Sequence, residues 1–417
     1  RFNELVNDVP HDVHLIDEID ILEDMPRSLP ETFRSNPSVL VQKTANGKGS
    51  PFIRGFTGFR NLLLIDGIRL NHAAFREGPN QYWATVDPLS VSRIELIKGQ
   101  GSVLYGSDAI GGTVNVITKG SDPLAYGKDQ LFSEGRILYR GSSAEQSHTG
   151  RAEAIVGLGQ STGVVLGYTD RSIGNIRASG LGELPHTGFD EMGFDLRMDH
   201  YFSENVKGTF AYQQFDQNDL WRVHKTIHGR SWEGTSVGKE LRRSGDQSRR
   251  LAYAQIKADD LNGPFQKIHA NLSWHNHEES RYRIKSSGKA DSQGFDLDSF
   301  GTWLQLESET GIGKLSYGAS YYRDQADTFR YDLDQGGNVI KERIQGPFGD
   351  DSIYEQFGLF IQDQINVTDH FDINFGSRFT HVMADIGKFE DPVSKNPGSM
   401  KDDWDNLSSS LRGVYKA

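Results

Sequence analysis

The chain has 417 residues, with 57 Asp and Glu against 45 Lys and Arg, a net charge of -12. That balance disfavours nucleic acid as a partner, because a phosphate backbone asks for a basic surface. The absence of cysteine excludes disulfides, thiolate metal sites and cysteine nucleophiles together, and no apolar run approaches the roughly 20 residues of a transmembrane helix. A transmembrane β-barrel stays open, because its strands alternate lipid-facing and lumen-facing residues and so read as hydrophilic.

Residues 1 to about 120 read as a compact α+β unit. The segments VHLIDEIDI, SVLVQ, LLLIDGIRL, SRIELIK and TVNVITK have strand character, and MPRSLPETFRS carries Ser28 and Pro30 ahead of a short helical stretch. The run GQGSVLYGSDAIGGTVNVITK, 99–119, raises the question of a phosphate loop. Gly101 and Gly106 have P-loop spacing, but Ser107 and Asp108 stand where the lysine and hydroxyl should be. Gly99 and Gly101 begin a dinucleotide pattern that Leu104 breaks, and a strand follows instead of a long helix. The glycines are therefore expected to allow sharp turns and close backbone approach.

From about 132 the pattern changes to long strands of period two. In FDINFGSRF, Phe371, Ile373, Phe375 and Phe379 share one face, and Asp372, Asn374, Gly376 and Arg378 the other. IHANLSW sets Ile268, Ala270, Leu272 and Trp274 opposite His269, Asn271 and Ser273. Twelve strands are predicted, near 133–142, 148–158, 162–173, 190–202, 205–217, 248–259, 265–279, 298–309, 312–325, 353–367, 370–384 and 405–416. Their connections alternate short (GLGQSTG, FSENVKG, DDLNGPF, ETGIGK, VTDH) with long (174–190, 218–247, 326–350, 385–403). Tight turns at one end and long loops at the other describe an up-and-down barrel across an outer membrane. A soluble β-sandwich would have shorter strands and less orderly loops.

Five segments in order, DVPHDVHLIDEIDI, LPETFRSNPSVLVQ, FIRGF, LLLIDGIRLN and VDPLSVSRIELIKGQGSVLYGSDAIGGTVNVITK, resemble the plug domain of TonB-dependent outer-membrane receptors. GLFIQDQINVTDHFDINFGSRFTH, 358–381, is a local likeness to the barrel of the same family. The resemblance implies an α+β plug over 1–125 and an antiparallel up-and-down transmembrane β-barrel from 126 to 417. With about 12 strands of an expected 22, and no TonB box visible ahead of the first plug strand, the chain is expected to be a fragment. The resemblance further implies TonB-dependent uptake of a scarce ligand (ferric siderophore, haem or cobalamin) across the bacterial outer membrane, in a monomer. The partners would be the TonB-ExbB-ExbD complex, outer-membrane lipid and the small-molecule ligand. No cofactor would be held permanently, although the ligand could carry iron or haem, and no catalytic residue is expected. The competing readings are a soluble β-rich carbohydrate-binding protein or enzyme, and a passive outer-membrane porin or adhesin.

The family's ligand-facing apical loops map onto TANGKGS, 44–50, and NHAAFREGPNQYWATVDP, 71–88. Candidate ligand contacts are Asn46, Lys48, His72, Phe75, Arg76, Asn80, Gln81, Tyr82 and Trp83, a mixture of apolar surface with a few placed polar groups. The alternative is that they pack the plug against the barrel wall. His72 could serve as a haem ligand by the resemblance, or be an ordinary loop histidine. Arg54 and Arg93 match arginines the family uses between plug and barrel; the alternative is pairing with local acids such as Glu95. In HNHEE, His275 and His277 project to one side of a strand, but zinc would need further convergent donors. DLDQGG, from Asp332, resembles half a calcium loop without its later glutamate. No metal site is therefore assigned.

Overall fold

The computed structural model describes residues 11–126, 131–231, 233–368 and 370–415. Residues 8–10 of the first motif, Asp369 of the last short connection and Lys416 at the end of the twelfth predicted strand lie outside the described residues.

The N-terminal domain runs β1 (Asp12–Asp17), α1 (Glu18–Asp24), β2 (Val39–Ala45), β3 (Lys48–Ile53), β4 (Asn61–Ile65), β5 (Ile68–Arg69), β6 (Val91–Lys98), α2 (Ser102–Tyr105), β7 (Gly112–Thr118) and α3 (Pro123–Tyr126). Five strands form a sheet in the order β1-β6-β7-β4-β5, and β2 and β3 pair as a separate hairpin. β4 lies parallel to β7, and the other pairs in that sheet are antiparallel. Leu62 to Ile65, Ile94, Leu96, Val114 and Val116 are buried, as apolar central strands require.

Two segments depart from expectation. LLLIDGIRL is two short antiparallel strands, β4 and β5, about a turn at Asp66 and Gly67. VHLIDEIDI is strand only to Asp17, after which it is helix. Asp17 accepts the Asp20 amide and Asp20 accepts the Asp17 amide, each at 3.0 Å. This capping box, with Glu18 and Asp20 in the first turn, outweighs the alternating pattern. The glycine-rich run behaves as expected. Gly99 and Gly106 have φ of 106° and 101°, and a Cβ on Gly111 would meet Asn61 Oδ1 at 2.4 Å. Asp108 accepts from Arg69 (2.8 Å) and Asn71 (3.0 Å), so it is committed within the domain.

The rest of the chain forms one antiparallel sheet. Its strands are β8 (Phe132–Ser142), β9 (Ser147–Leu158), β10 (Thr162–Ile173), β13 (Phe189–Ser203), β14 (Val206–Asn218), β15 (Arg242–Ala258), β16 (Lys267–Ile284), β17 (Ala290–Glu309), β18 (Gly313–Leu333), β19 (Val339–Glu342), β20 (Asp350–Thr368), β21 (Phe371–Glu390) and β22 (Pro397–Tyr415). A two-residue pair, β11 (Arg177–Ala178) and β12 (Gly182–Glu183), sits in the connection from β10 to β13. Successive strands are neighbours from β8 to β22, and β19 folds back on β18. All twelve predicted strands are present, but several run further toward the long-loop end. Predicted loop residues 242–247, 326–333, 385–390 and 397–403 are strand. There apolar residues such as Ile386 and Phe389 fall without a regular period of two, so the alternation that marks a strand fades while the backbone pairing continues.

The faces are inverted relative to a soluble protein. Leu272, Phe300, Leu359, Phe375 and Phe379 are exposed outward, whereas His269, Asn271, Ser273, Asp372, Asn374 and Arg378 are buried inward. The sheet wraps the N-terminal domain, touching it from one end to the other. Arg136 of β8 binds Glu18 at 2.6 Å, Arg171 of β10 binds Asp87 at 2.8 Å, Tyr253 of β15 donates to Asp66 at 2.6 Å, and Gln356 of β20 accepts from Arg69. The apolar core is continuous across this seam, with Leu251, Tyr253, Phe295 and Leu297 of the sheet joining Phe75, Tyr82 and Trp83 of the domain. No helix among the described residues is long and apolar enough to cross a membrane, which leaves crossing by strands untouched.

Candidate ligand-binding site

The loops after β2 and β5 both rise toward the long-loop end of the sheet. Together with strands β15 to β21 they enclose a cavity of about 550 Å³, in the range of small-molecule sites, roughly 300–1,000 Å³. Lys48, Phe75, Arg76 and Tyr82 line it from the domain; Arg222, Arg243, Glu279, Arg281, Phe295 and Phe348 line it from the sheet and its loops.

Gln81 organises the charged side. Its Nε2 donates to both Glu279 oxygens at 2.6 and 2.9 Å, while its Oε1 accepts from Arg76 at 2.8 Å and from Arg222 at 3.1 Å. Arg243 pairs with Glu240 at 3.0 Å, and Arg281 with Asp291 at 3.5 Å. Glu279 is the carboxylate of the lining and faces Lys48, Arg76 and Arg222, with Asp246 also acting on Lys48, so the lining keeps an excess of positive charge. Lys48 is almost wholly buried. Burial brings its ammonium down to about 8; Glu279 opposes this, and Arg222 and Arg76 add to it. Burial, reinforced by Glu279, raises the Tyr82 phenol, which therefore stays a neutral donor.

The other candidates divide. Trp83 is 1 % exposed and packs edge-on against Phe33, inside the domain. Asn80 accepts the Tyr82 amide at 2.9 Å and its own amide donates to Ser50 Oγ at 3.0 Å, which shapes the loop. Asn46 is buried at the β2–β3 turn, next to Gly47, whose carbonyl accepts from Gln217 at 3.1 Å. His72 is 4 % exposed and ringed by Phe75, Tyr82 and Phe295. Its imidazole is held well below the usual range by burial, with His277 and Arg69 adding to it. His277 lies across the seam, 2.8 Å from His72.

Arg54 and Arg93 pair locally, within the N-terminal domain, among the described residues. Arg54 lies 3.8 Å from Asp12, and Arg93 donates to Glu95 at 3.0 Å, both acids being in the N-terminal domain. Both arginines are nearly half exposed among the described residues. The described part of the seam is held by groups sequence reasoning passed over. Asp87 accepts from Arg171 (2.8 Å) and Thr169 (2.6 Å), with Arg151 at 3.5 Å. Asp66 accepts from Tyr253 at 2.6 Å and Arg197 at 3.3 Å, and Lys119 reaches Glu153 at 3.0 Å. Burial pushes the Asp87 carboxyl up, but Arg171 and Arg151 outweigh it, and the net direction is down. The available signal was basic residues on the polar face of predicted strands, which need carboxylate partners once buried.

Comparison with known proteins agrees with this architecture. Residues 6–113 match the TonB-dependent receptor plug domain, and residues 158–417 match the TonB-dependent receptor-like β-barrel. A vitamin B12 transporter, BtuB, of Vibrio vulnificus is 26 % identical over 364 residues, 79 % of this chain and 57 % of the relative. An iron-regulated outer membrane virulence protein of Vibrio cholerae is 24 % identical over 396 residues, 91 % of this chain and 53 % of the relative. The chain thus spans somewhat more than half the length of these relatives. Among solved structures, the copper transporter OprC superposes with a TM-score of 0.78 at 13 % identity, covering 96 % of this chain and 60 % of that one. The siderophore receptor PiuA from Acinetobacter baumannii gives 0.74 at 17 %, covering 99 % and 63 %. At such identities these two likenesses speak for the fold alone. The N-terminal domain is a plug, the sheet is barrel wall, and the chain is a bacterial outer-membrane protein of the TonB-dependent receptor family.

Proposed function

We propose that the chain forms the plug and part of the barrel of an importer that captures a small anionic ligand of the ferric-siderophore class. The carrying observation is the cavity lining, in which Lys48, Arg76 and Arg222 converge on a single carboxylate, Glu279. Cationic donors beside the apolar faces of Phe75, Tyr82 and Phe295 suit a carboxylate- or catecholate-bearing chelate with a hydrophobic body. Iron travels with such a ligand, so the protein needs no resident cofactor. Among the relatives, the iron-regulated outer membrane virulence protein is in keeping with an iron-bearing ligand, while the vitamin B12 transporter makes cobalamin the second reading. The TonB-ExbB-ExbD complex then supplies the force that shifts the plug, which buried ion pairs hold to the wall.

The sheet ends at β8 and β22 without joining them, while Ile19, Leu40, Phe56 and Phe59 of the plug are exposed. In our reading further strands of a 22-strand monomeric barrel cover that side, because open edges are not tolerated in lipid. A native polypeptide well beyond 417 residues in outer-membrane fractions is the expected finding.

Binding of ferric siderophores to the full-length receptor in detergent tests the site. Arg76→Ala and Arg222→Ala should each weaken an anionic chelate about 10- to 100-fold, the worth of a charge-assisted hydrogen bond, and leave an uncharged ligand unaffected. Equal affinity in all three proteins would sink the assignment. A passive porin would keep transporting after the proton gradient is collapsed; the energised reading requires uptake to stop.

A further inference from the structure

Directly beneath the cavity, three histidines meet across the plug–barrel seam. His72 comes from the plug; His275 and His277 come from the inward face of β16. His72 Nε2 lies 2.8 Å from His277 Nδ1. Ring centroids are 5.0 Å apart for His72–His277, 5.6 Å for His72–His275 and 6.2 Å for His275–His277. All three side chains are at most 4 % exposed. Both nitrogens of His275 and Nε2 of His277 are buried without a hydrogen-bond partner among the described residues. Orphaned imidazole nitrogens at this density are costly, and a plain packing role would be served better by apolar rings.

We propose that His72, His275 and His277 form a binding site for one first-row divalent cation of the zinc or copper(II) kind. Neutral imidazole suits these ions, whereas carboxylate oxygen would favour magnesium or calcium. As they stand, no three His, Asp or Glu side chains among the described residues are drawn close enough to hold an ion. Ligation asks two side chains to move. Two nitrogens each about 2.0–2.1 Å from a tetrahedral ion sit about 3.3 Å apart, which is about half an ångström more than the His72–His277 contact, and His275 must turn one free nitrogen inward. Ligation through His72 Nε2 moves its proton to Nδ1, at the expense of a long 3.2 Å contact with the Ala74 amide. The positive charges that act on the cluster are Arg249, Arg69 and Lys48; Arg249 is engaged by Thr85 O at 2.8 Å and Gln213 at 3.1 Å, and Arg69 by Asp108 at 2.8 Å. Glu279, two residues along the same face from His277, supplies a compensating negative charge.

The donors are split between a plug residue and two wall residues. An ion held by all three therefore ties plug to barrel, and plug displacement, which rests on the proposed importer mechanism, breaks the site and frees the ion. The metal site itself does not depend on the anionic-ligand reading, and siderophore binding by the Arg76 and Arg222 variants fails or succeeds separately.

Metal-stripped full-length receptor in detergent is dialysed against Zn²⁺ or Cu²⁺ alone. One tightly held ion per chain is expected. His72→Gln and His277→Gln should each weaken it at least about 100-fold, beyond the loss seen for outer-sphere changes, while His381→Gln, an exposed histidine paired with Asp405, should bind like the parent. The Cu²⁺ electron paramagnetic resonance spectrum of the unaltered receptor should carry hyperfine structure from two or more imidazole nitrogens, a readout that needs no variant to fold. Absence of a stoichiometric ion, retention of it in the His72→Gln/His275→Gln/His277→Gln variant, or a spectrum without nitrogen coupling would each overturn the proposal.

Discussion

At the residue scale, the apical loop is a sorting of polar groups by their partners. Gln81 is an uncharged residue with a decisive position, because its amide holds Glu279 on one side and two guanidinium groups on the other. Lys48 is the group whose charge is most sensitive to conditions. Its ammonium is held near 8 by burial, so it is charged below that pH and neutral above it. Affinity for an anionic ligand should therefore fall as pH rises from 7 to 9. The expected drop is about tenfold, the loss of one charge-assisted contact of roughly 1.5 kcal/mol. Isothermal titration across that range, with Lys48→Met as the pH-insensitive reference, checks both sign and size. A parallel pH slope in the variant would remove Lys48 from the site.

At the scale of elements, each barrel strand carries two functions on opposite faces. β16 is the clearest case. Ile268, Leu272 and Trp274 point outward, and His269, Asn271, Ser273, His275 and His277 point inward. A one-residue register slip would exchange the sets, so lipid on one side and plug on the other both specify the register. Leu272→Arg should destabilise the folded barrel by up to about 2–4 kcal/mol, the depth-dependent cost of a charge on the lipid face, while Leu272→Phe should be nearly neutral. Urea unfolding of the full-length protein in lipid vesicles measures the difference. Helix α1 teaches the opposite lesson about elements. There a local capping box at Asp17 and Asp20 overrules an alternating apolar pattern, because two satisfied amides stabilise a turn that periodicity alone does not see.

At the scale of the whole molecule, the plug is bound to its wall by buried ion pairs as well as by a shared apolar core. Breaking a buried pair leaves an uncompensated charge at a cost of several kcal/mol, so displacement of the plug requires work from outside. The chain has no cysteine of its own, which permits a clean tether. Asp87→Cys with Thr169→Cys places two thiols where side chains now meet at 2.6 Å. Under oxidising conditions this pair should abolish energised uptake while leaving ligand binding at the surface intact, and reductant should restore transport. Uptake that continues with the disulfide formed would mean the plug stays seated during transport.

The architecture was legible in the sequence for reasons that are local. Period-two alternation in FDINFGSRF or IHANLSW reports two solvents directly, and the short and long connections report which end is which. The glycines of 99–119 read correctly as turns because the residues a phosphate loop needs are absent. Strand ends beyond the apolar belt were not legible, since their apolar residues fall without a regular period to detect. The interface was the least legible. Arg54 and Arg93 drew notice as seam residues and have Asp12 and Glu95 within reach, but the contacts of the described seam fall on Asp87, Asp66 and Lys119. Choosing among charged residues requires knowing which carboxylate lies opposite, and residues such as Asp87 and Arg171 are 84 positions apart. The same limit hid the histidine cluster. HNH and His72 are each unremarkable alone, separated by some 200 residues, and only the wrapping of the wall around the plug brings them into one place. Sequence thus determined the elements, their faces and the family, because those depend on neighbours along the chain; tertiary structure alone decided the charge of the cavity and the partners across the seam, because those depend on distance in space.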